Sequence, residues 1–244
     1  MKLSPGDVHV WTVTLDVRAW GDYLTNGGLD VHEVARATRF HFEADRRRFV
    51  ISHAATRMIL ARYLGVTPGA VFVRAADGEK PGLAPDRHGA GLRFNVSHSH
   101  EVAVVAIGDR EVGVDVERVR PLPDLDALVA RWFSRPERHA FEALPPAARV
   151  QAFFACWTLK EAYLKGCGDG LSRALDGFTV TVAPDEVPRL DHVGDRVGDE
   201  ARWALRRLVL PTGYVGAVAV DNSEAVSIGG SEPFRLHQFV WGER

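Results

Sequence analysis

The segment Val112-Gly113-Val114-Asp115-Val116-Glu117 alternates strictly between branched and other residues, and it opens a second cycle of elements in the chain. In a strand, successive side chains point to opposite faces. Val112, Val114 and Val116 therefore share one face, and Gly113, Asp115 and Glu117 share the other. The two carboxylates project together, with their Cα atoms about 7 Å apart. Like charges so placed repel unless they stay hydrated or something positive sits between them. Two readings stand: a solvated strand face, or a face that holds a hard divalent cation through oxygen ligands.

Upstream, residues 8–17 alternate as a strand, residues 31–64 read as helical with Gly65 as the stop, and residues 71–74 form a short strand. Residues 77–90 are rich in Gly, Pro and Asp and read as loop. Residues 92–97 and 102–108 read as paired strands joined by the polar turn His98-Ser99-His100-Glu101. Downstream come a Pro-flanked loop, a helix over 125–132 and a capping box of Ser134 with Glu137. A long helix follows over 147–166, then strands over 178–182, 202–210 and 214–220. Residues 184–200 read as a variable loop, and 222–244 as a tail whose Phe239, Val240 and Trp241 can dock onto the body.

The order strand, helices, three strands thus occurs twice. It predicts an α+β fold built of two similar α+β halves of about 110 residues each, in a pseudo-twofold arrangement. The halves are residues 1–111 and 112–222, with 223–244 as a C-terminal tail. The competing reading is a single α+β domain without internal symmetry.

The composition suits either. The chain has 244 residues, 46% of them hydrophobic, and a formal net charge of −2. It is too apolar for disorder and too evenly charged to grip nucleic acid through its overall field. Cys156 and Cys167, the two cysteines, fall in one predicted helix about 16 Å apart, too far for a disulfide. No C-x-x-C pair offers a zinc site. A reducing, cytoplasmic home is the expectation. The first residues hold no long apolar stretch of the signal-peptide kind, and no run is long enough to span a membrane.

The helix over 147–166 carries more chemistry. Phe154, Trp157, Glu161 and Lys165 follow spacings of 3, 4 and 4, so an apolar stripe runs into a Glu and a Lys. Glu161 and Lys165 are either a simple i,i+4 pair or, with Asp115 and Glu117, part of a three-carboxylate Mg²⁺ site. Phosphate groups bound at such an ion have candidate partners in Ser97 and His98 at a strand end, Lys80 in a Gly/Pro loop, and Arg48 in a basic helical segment. Each also has a plain structural reading.

Together these residues resemble a known family. Val112–Glu117 followed by Trp157-Thr158-Leu159-Lys160-Glu161-Ala162-Tyr163-Leu164-Lys165 resembles the paired signature of the 4′-phosphopantetheinyl transferases, G-[VI]-D and W-[STC]-x-K-E-A-x-x-K. Phe94-Asn95-Val96-Ser97-His98-Ser99 resembles that family's F-N-[IVL]-S-H-S segment, and Lys80-Pro81 its G-K-P segment. The length resembles the fused, monomeric Sfp type, and Trp157 with Lys160-Glu161-Ala162 the W/KEA subgroup. Two positions depart from the pattern: Glu79 stands before Lys80 where the family has Gly, with Gly78 one place earlier, and the region before Arg48 is weakly matched.

The resemblance implies transfer of 4′-phosphopantetheine from coenzyme A to a serine of an apo acyl or peptidyl carrier protein, releasing adenosine 3′,5′-bisphosphate. It implies Mg²⁺, or Mn²⁺, held by Asp115, Glu117 and Glu161. Glu161 is the expected base with Glu117 as competitor, and Lys165 the group that stabilises or protonates the leaving phosphate. Arg48, Lys80, Ser97, His98, Lys160 and Asp115 are the expected coenzyme A contacts. Arg48 is preferred to Arg36, Arg39 and Arg47 because Asp45 precedes it in a D-x-x-R spacing. The loop carrying Arg118, Arg120, Leu122 and Leu125 is the expected carrier-docking segment. A Mg²⁺-dependent pyrophosphate hydrolase and a non-catalytic carrier-binding module are the alternatives.

Overall fold

A computed structural model describes residues 1–15, 20–74, 80–88, 91–168, 173–194, 196–223 and 233–242. The first cycle comprises β1 (Asp7–Thr14), α1 (Trp20–Asn26), α2 (Val31–Ala37), α3 (Glu43–Leu64), β2 (Val73–Arg74), β3 (Gly82–Leu83), α4 (Pro85–His88), β4 (Arg93–Ser99) and β5 (Val102–Gly108). The second comprises β6 (Val112–Arg118), α5 (Leu125–Trp132), α6 (Arg135–Glu142), α7 (Pro146–Cys167), β7 (Phe178–Val180), β8 (Leu190–Val193), α8 (Asp199–Arg202), β9 (Trp203–Arg207) and β10 (Tyr214–Asp221). β11 (Arg235–Val240) follows.

The main sheets have the orders β11-β1-β5-β4 and β6-β10-β9. In each, the first strand of the cycle pairs antiparallel with the last, and the last pairs antiparallel with the one before it. Each sheet also carries a 22-residue helix, α3 or α7, that stops at a left-handed glycine, Gly65 or Gly168.

Period-two patterning explains the layers. Val112, Val114, Val116, Val218 and Val220 pack against Val8, Val10, Val102, Val104 and Ala106, so the two sheets face each other across branched side chains. The opposite face of the first sheet (Trp11, Val13, Phe94, Val105, Ile107) packs on Ile51, Ala55, Ile59 and Leu60 of α3. The opposite face of the second (Leu205, Ala217, Ala219) packs on Phe153, Cys156, Leu159 and Tyr163 of α7. The result is a helix–sheet–sheet–helix stack with an apolar seam at each of its three contacts, an α+β architecture as the element order predicts.

The structure departs from the sequence reading at several places. The helix expected over 31–64 is two helices, α2 and α3, split at residues 38–42. Asp30 caps α2 through the N–H groups of His32 and Glu33, and Glu33 bonds back to the Asp30 N–H. The loop expected over 77–90 contains β3 and α4, and the variable loop over 184–200 contains β8 and the start of α8. The turn between β4 and β5 is only His100-Glu101, with His100 at φ 51°. The tail over 222–244 contributes β11, which pairs parallel with β1 at the sheet edge. Phe239 stacks on Trp11 at 4.7 Å between ring centres, and Trp241 meets Trp11 edge-on.

Other expectations hold. Ser134 and Glu137 form the reciprocal capping box at the start of α6. Both cysteines lie on α7 and form no disulfide. No helix of the described residues is long and apolar enough to cross a membrane. Glu79 and Gly78, where the Lys80 loop departs from the family pattern, lie outside the described residues.

Candidate active site

The site forms where β4, the edge strand of the first sheet, runs beside β6, the edge strand of the second. The two edges share no backbone ladder. Alternate side chains of β4 bridge them. Asn95 Oδ1 accepts the Val114 N–H at 2.9 Å, and Ser97 Oγ donates to Asp115 Oδ1 at 2.7 Å. Ser99 Oγ donates to Glu117 Oε2 at 2.8 Å and accepts the Arg118 N–H at 3.1 Å. The intervening residues Phe94, Val96 and His98 face the other way, into a cleft. One strand thus braces the carboxylates with one face and walls a binding space with the other.

Gly113 explains how α7 comes close enough to join them. A Cβ there would lie 2.0 Å from the Ala162 carbonyl oxygen and 2.2 Å from the Gly166 nitrogen. Glycine at this position lets the strand lie directly on the helix. That contact brings Glu161 and Lys165, one turn apart, over the Asp115/Glu117 face. Lys165 Nζ donates to Asp115 Oδ1 at 2.7 Å and to Ser97 Oγ at 3.0 Å.

The electrostatics of this cluster are strained. Burial, with Asp115 and Glu117 adding repulsion against the partial relief from Lys165, pushes the Glu161 carboxyl up to about 7. Burial likewise raises Glu117, with Asp115 adding to the rise and the Ser99 bond opposing it. The apolar surroundings come from the aromatic run before Glu161: Phe153 stacks on Trp157, which meets Trp132 edge-on. Two carboxylate oxygens here, Asp115 Oδ2 and Glu161 Oε1, are buried and have no hydrogen-bond partner among the described residues. Buried polar atoms are otherwise almost always paired. Hard oxygen donors, excess negative charge and unpartnered buried lone pairs are what a divalent cation requires. The three carboxylates do not draw their oxygens within 4.8 Å of one another, and here the Lys165 ammonium is the cation that Asp115 holds. The donor set fits Mg²⁺, which usually keeps several waters and so does not need direct contact with all three.

The cleft beside His98 has a volume of about 460 Å³, with Arg36, Phe49, His53 and Arg57 among its walls. Phe49 lies between the Arg36 guanidinium, 5.3 Å from its ring centre, and the His53 ring at 4.0 Å. Below them Arg57, almost fully buried, bonds Glu33 at 2.6 Å, Asp30 at 2.7 Å and the Val71 carbonyl at 2.6 Å. Burial and then the neighbouring His53, Lys165, Arg36 and Arg48 hold His98 below its ordinary value. The field there is positive and suits an anionic ligand.

Asp115, Glu117, Glu161 and Lys165 are therefore brought together, with His98 on the adjoining cleft. Four other expected contacts sit differently. Ser97 turns away from the cleft and serves Asp115 and Lys165. Arg48 pairs with Asp45 at 3.1 Å, and the arginines that reach the cleft wall are Arg36 of α2 and Arg57 of α3. Lys80 donates to Glu111 at 2.7 Å and to the Gly166 carbonyl at 3.1 Å, beside a separate cavity of about 260 Å³.

Lys160 is the clearest correction. It is fully buried, and its ammonium is held by Glu137 at 2.7 Å and by the carbonyls of Leu175 at 2.8 Å and Phe178 at 2.7 Å. All three protons are used inside the second core, because a buried ammonium must satisfy every donor. Arg118 and Arg120 are exposed, whereas Leu122 and Leu125 pack partly against that core. The sequence reading missed Asn95, Arg57, Glu33 and Ser99 as site supports. The alternation of Asn95, Ser97 and Ser99 was the signal for two of them.

Comparison with known proteins agrees with this arrangement. A family model described as 4′-phosphopantetheinyl transferase superfamily matches residues 111–219, and one described as 4′-phosphopantetheinyl transferase, N-terminal, matches residues 23–109. The chain is 36% identical to the 4′-phosphopantetheinyl transferase HetI of Nostoc sp., over 90% of each chain. It is 32% identical to the transferase psf-1 of Bacillus pumilus, over 62% of this chain and 63% of that one. To Sfp of Bacillus subtilis it is 27% identical, over 62% of this chain and 65% of that one. With 36% identity sustained over nine tenths of both chains, this protein belongs to the 4′-phosphopantetheinyl transferase superfamily, of the Sfp type, and is an enzyme of that class.

Proposed function

We propose that the enzyme takes its 4′-phosphopantetheine from coenzyme A, delivers it to a serine of an apo acyl or peptidyl carrier protein, and releases adenosine 3′,5′-bisphosphate, acting as a cytoplasmic monomer. The observation that carries this reading is the pair of unpartnered buried oxygens on Asp115 and Glu161, beside a cleft walled by Arg36, His53 and His98. Asp115, Glu117 and Glu161 would hold Mg²⁺, or Mn²⁺. When bound, such an ion neutralises charge on the pyrophosphate, worth several kcal/mol of transition-state stabilisation.

The residues of the chain do the rest. Arg36, His53 and His98 bind the phosphate-bearing end of coenzyme A in the cleft through charge-assisted hydrogen bonds. Glu161, with its buried Oε1 unpartnered, accepts the proton of the carrier serine hydroxyl as the serine oxygen attacks the pantetheine-side phosphorus. A positioned base typically contributes about 10²–10⁴-fold. Lys165, already in contact with Asp115 and Ser97, neutralises the phosphate that leaves. Ser97, Ser99 and Asn95 keep the carboxylates aimed.

The test is incubation with apo carrier proteins, coenzyme A and Mg²⁺, followed by mass spectrometry of the carrier. The expected result is a carrier heavier by one phosphopantetheine and one equivalent of adenosine 3′,5′-bisphosphate. Nucleotide release without any carrier modification, across acyl and peptidyl carriers, would instead mark a hydrolase.

A further inference from the structure

A second cluster of ligating side chains lies away from the carboxylate site, at the β1–β11 edge of the first sheet. Asp7, His9 and His237 bring one ligand atom each within 4.8 Å of one another. The register explains the meeting. β1 and β11 run parallel with His9 opposite His237, and Asp7 precedes His9 by two residues on the same face. The site lies on the edge pair farthest from β4, whose side chains brace the catalytic carboxylates.

We propose that Asp7, His9 and His237 form a binding site for a divalent transition metal, Zn²⁺ foremost, that fastens the C-terminal strand to the body of the enzyme. Two imidazoles and one carboxylate are a donor set that zinc and its neighbours in the first transition row take readily and that magnesium does not. A tetrahedral ion with bonds of about 2.0–2.1 Å needs the three donors somewhat closer than 4.8 Å. His237 lies on the edge strand with its side chain about half exposed, so it is free to swing inward and leaves a path for the ion. A fourth position stays open to water.

The surroundings are organised as metal sites are. Metal-bound histidines nearly always carry a hydrogen bond on the other ring nitrogen. His9 has one: its Nδ1 lies 2.8 Å from the Tyr63 hydroxyl, which also accepts the Trp11 indole N–H at 2.9 Å. That leaves the His9 Nε2 for an ion. Asp7 sits on the ring edge of the cluster, with Oδ1 3.4 Å from His237 Nε2. Its other contacts are Arg235 Nε on Oδ1 at 2.7 Å and the Ser4 N–H on Oδ2 at 3.3 Å.

Arg235 supplies a sharp test. Its guanidinium shares the Asp7 oxygen with any ion and repels that ion, so it is a competitor. Removing it strengthens metal binding, although it weakens the strand's own ion pair.

Untagged full-length protein is stripped with chelator and titrated with Zn²⁺ in excess Mg²⁺, which covers the carboxylate site. Calorimetry and thermal denaturation are the readouts, with Co²⁺ absorption reporting coordination. The expected result is one Zn²⁺ per chain and a raised melting temperature. His237→Ala, an exposed position, should weaken binding at least tenfold and abolish the rise without changing the metal-free melting temperature by more than a few degrees. His237→Gln should do the same. Arg235→Ala should bind several-fold tighter than the wild type. Absence of saturable binding in the wild type, binding by either His237 variant as tight as the wild type's, or weaker binding by Arg235→Ala would overturn the proposal.

Discussion

Replacing Glu161 by glutamine should make the metal-free enzyme more stable while abolishing transfer. The carboxyl has an ordinary pKa of 4.5 and is pushed to about 7 in the fold, first by burial and then by Asp115 and Glu117. A rise of that size corresponds to about 3 kcal/mol of penalty for the charged form. Partial solvent access reduces it to about 2 kcal/mol. Because the folded pKa lies above the unfolded one, the stability tied to this group is fully present below pH 4.5 and is lost as pH rises through about 7. Glutamine keeps the shape without the charge. At pH 8 in chelator, Glu161→Gln should therefore melt higher by about 5 °C, the shift expected of about 2 kcal/mol in a chain of this size. The difference should shrink steadily as the pH falls toward 4.5 and vanish there. Saturating Mg²⁺ should reverse the order, raising the wild type more than the variant. The assay is thermal denaturation across pH, with and without Mg²⁺. A variant no more stable than the wild type at pH 8 in chelator would refute the description of Glu161 as a destabilised, cation-seeking carboxylate.

Other consequences follow from the same geometry. Gly113→Ala places a Cβ 2.0 Å from a helix carbonyl, so it should cost at least about 3 kcal/mol and eliminate activity, as read by denaturant melts and the carrier assay. Lys160→Met leaves Glu137 charged and buried without its cation, which should cost about 3–5 kcal/mol; adding Glu137→Gln should recover part of it. Arg36→Ala should raise the KM for coenzyme A about tenfold or more with a small change in kcat, the loss of one charge-assisted contact, whereas Arg48→Ala should do much less. Equal effects of the two arginine variants would remove Arg36 from the ligand site.

The parts of this molecule legible from sequence are those where one strand or helix carries the whole signal. The alternation in Val112–Glu117 correctly separated the valines that join the sheets from the carboxylates that face α7. The spacing of Glu161 and Lys165 put them on one face of a helix that does reach Asp115. What failed depends on relations between elements. Lys160 lies next to Glu161 in sequence, but a step of one residue turns it roughly 100° around the helix, into the core and onto Glu137. Ser97 precedes His98 in a strand, so the two must face opposite ways, and only the packed structure shows which of them meets the cleft. β11 was read as tail because an edge strand with one exposed face has weak periodicity, and because its partner β1 is more than two hundred residues away. The break between α2 and α3 has no Gly or Pro, and Phe42 at the start of α3 offers no capping side chain, so nothing in the sequence marks it.

The bridge between β4 and β6 bears on how the chain comes to be active. Backbone ladders hold each sheet to itself, whereas the two halves meet at this edge through Asn95, Ser97 and Ser99. Ser97 belongs to the first half, and Asp115 and Lys165 to the second. The three-way contact among them therefore exists only when both halves are folded and mated. A nascent chain that ends before β6 has the wall residues of the cleft but lacks Asp115, Glu161 and Lys165, and its first sheet still lacks β11. The contact among Ser97, Asp115 and Lys165 thus marks completed assembly of the chain.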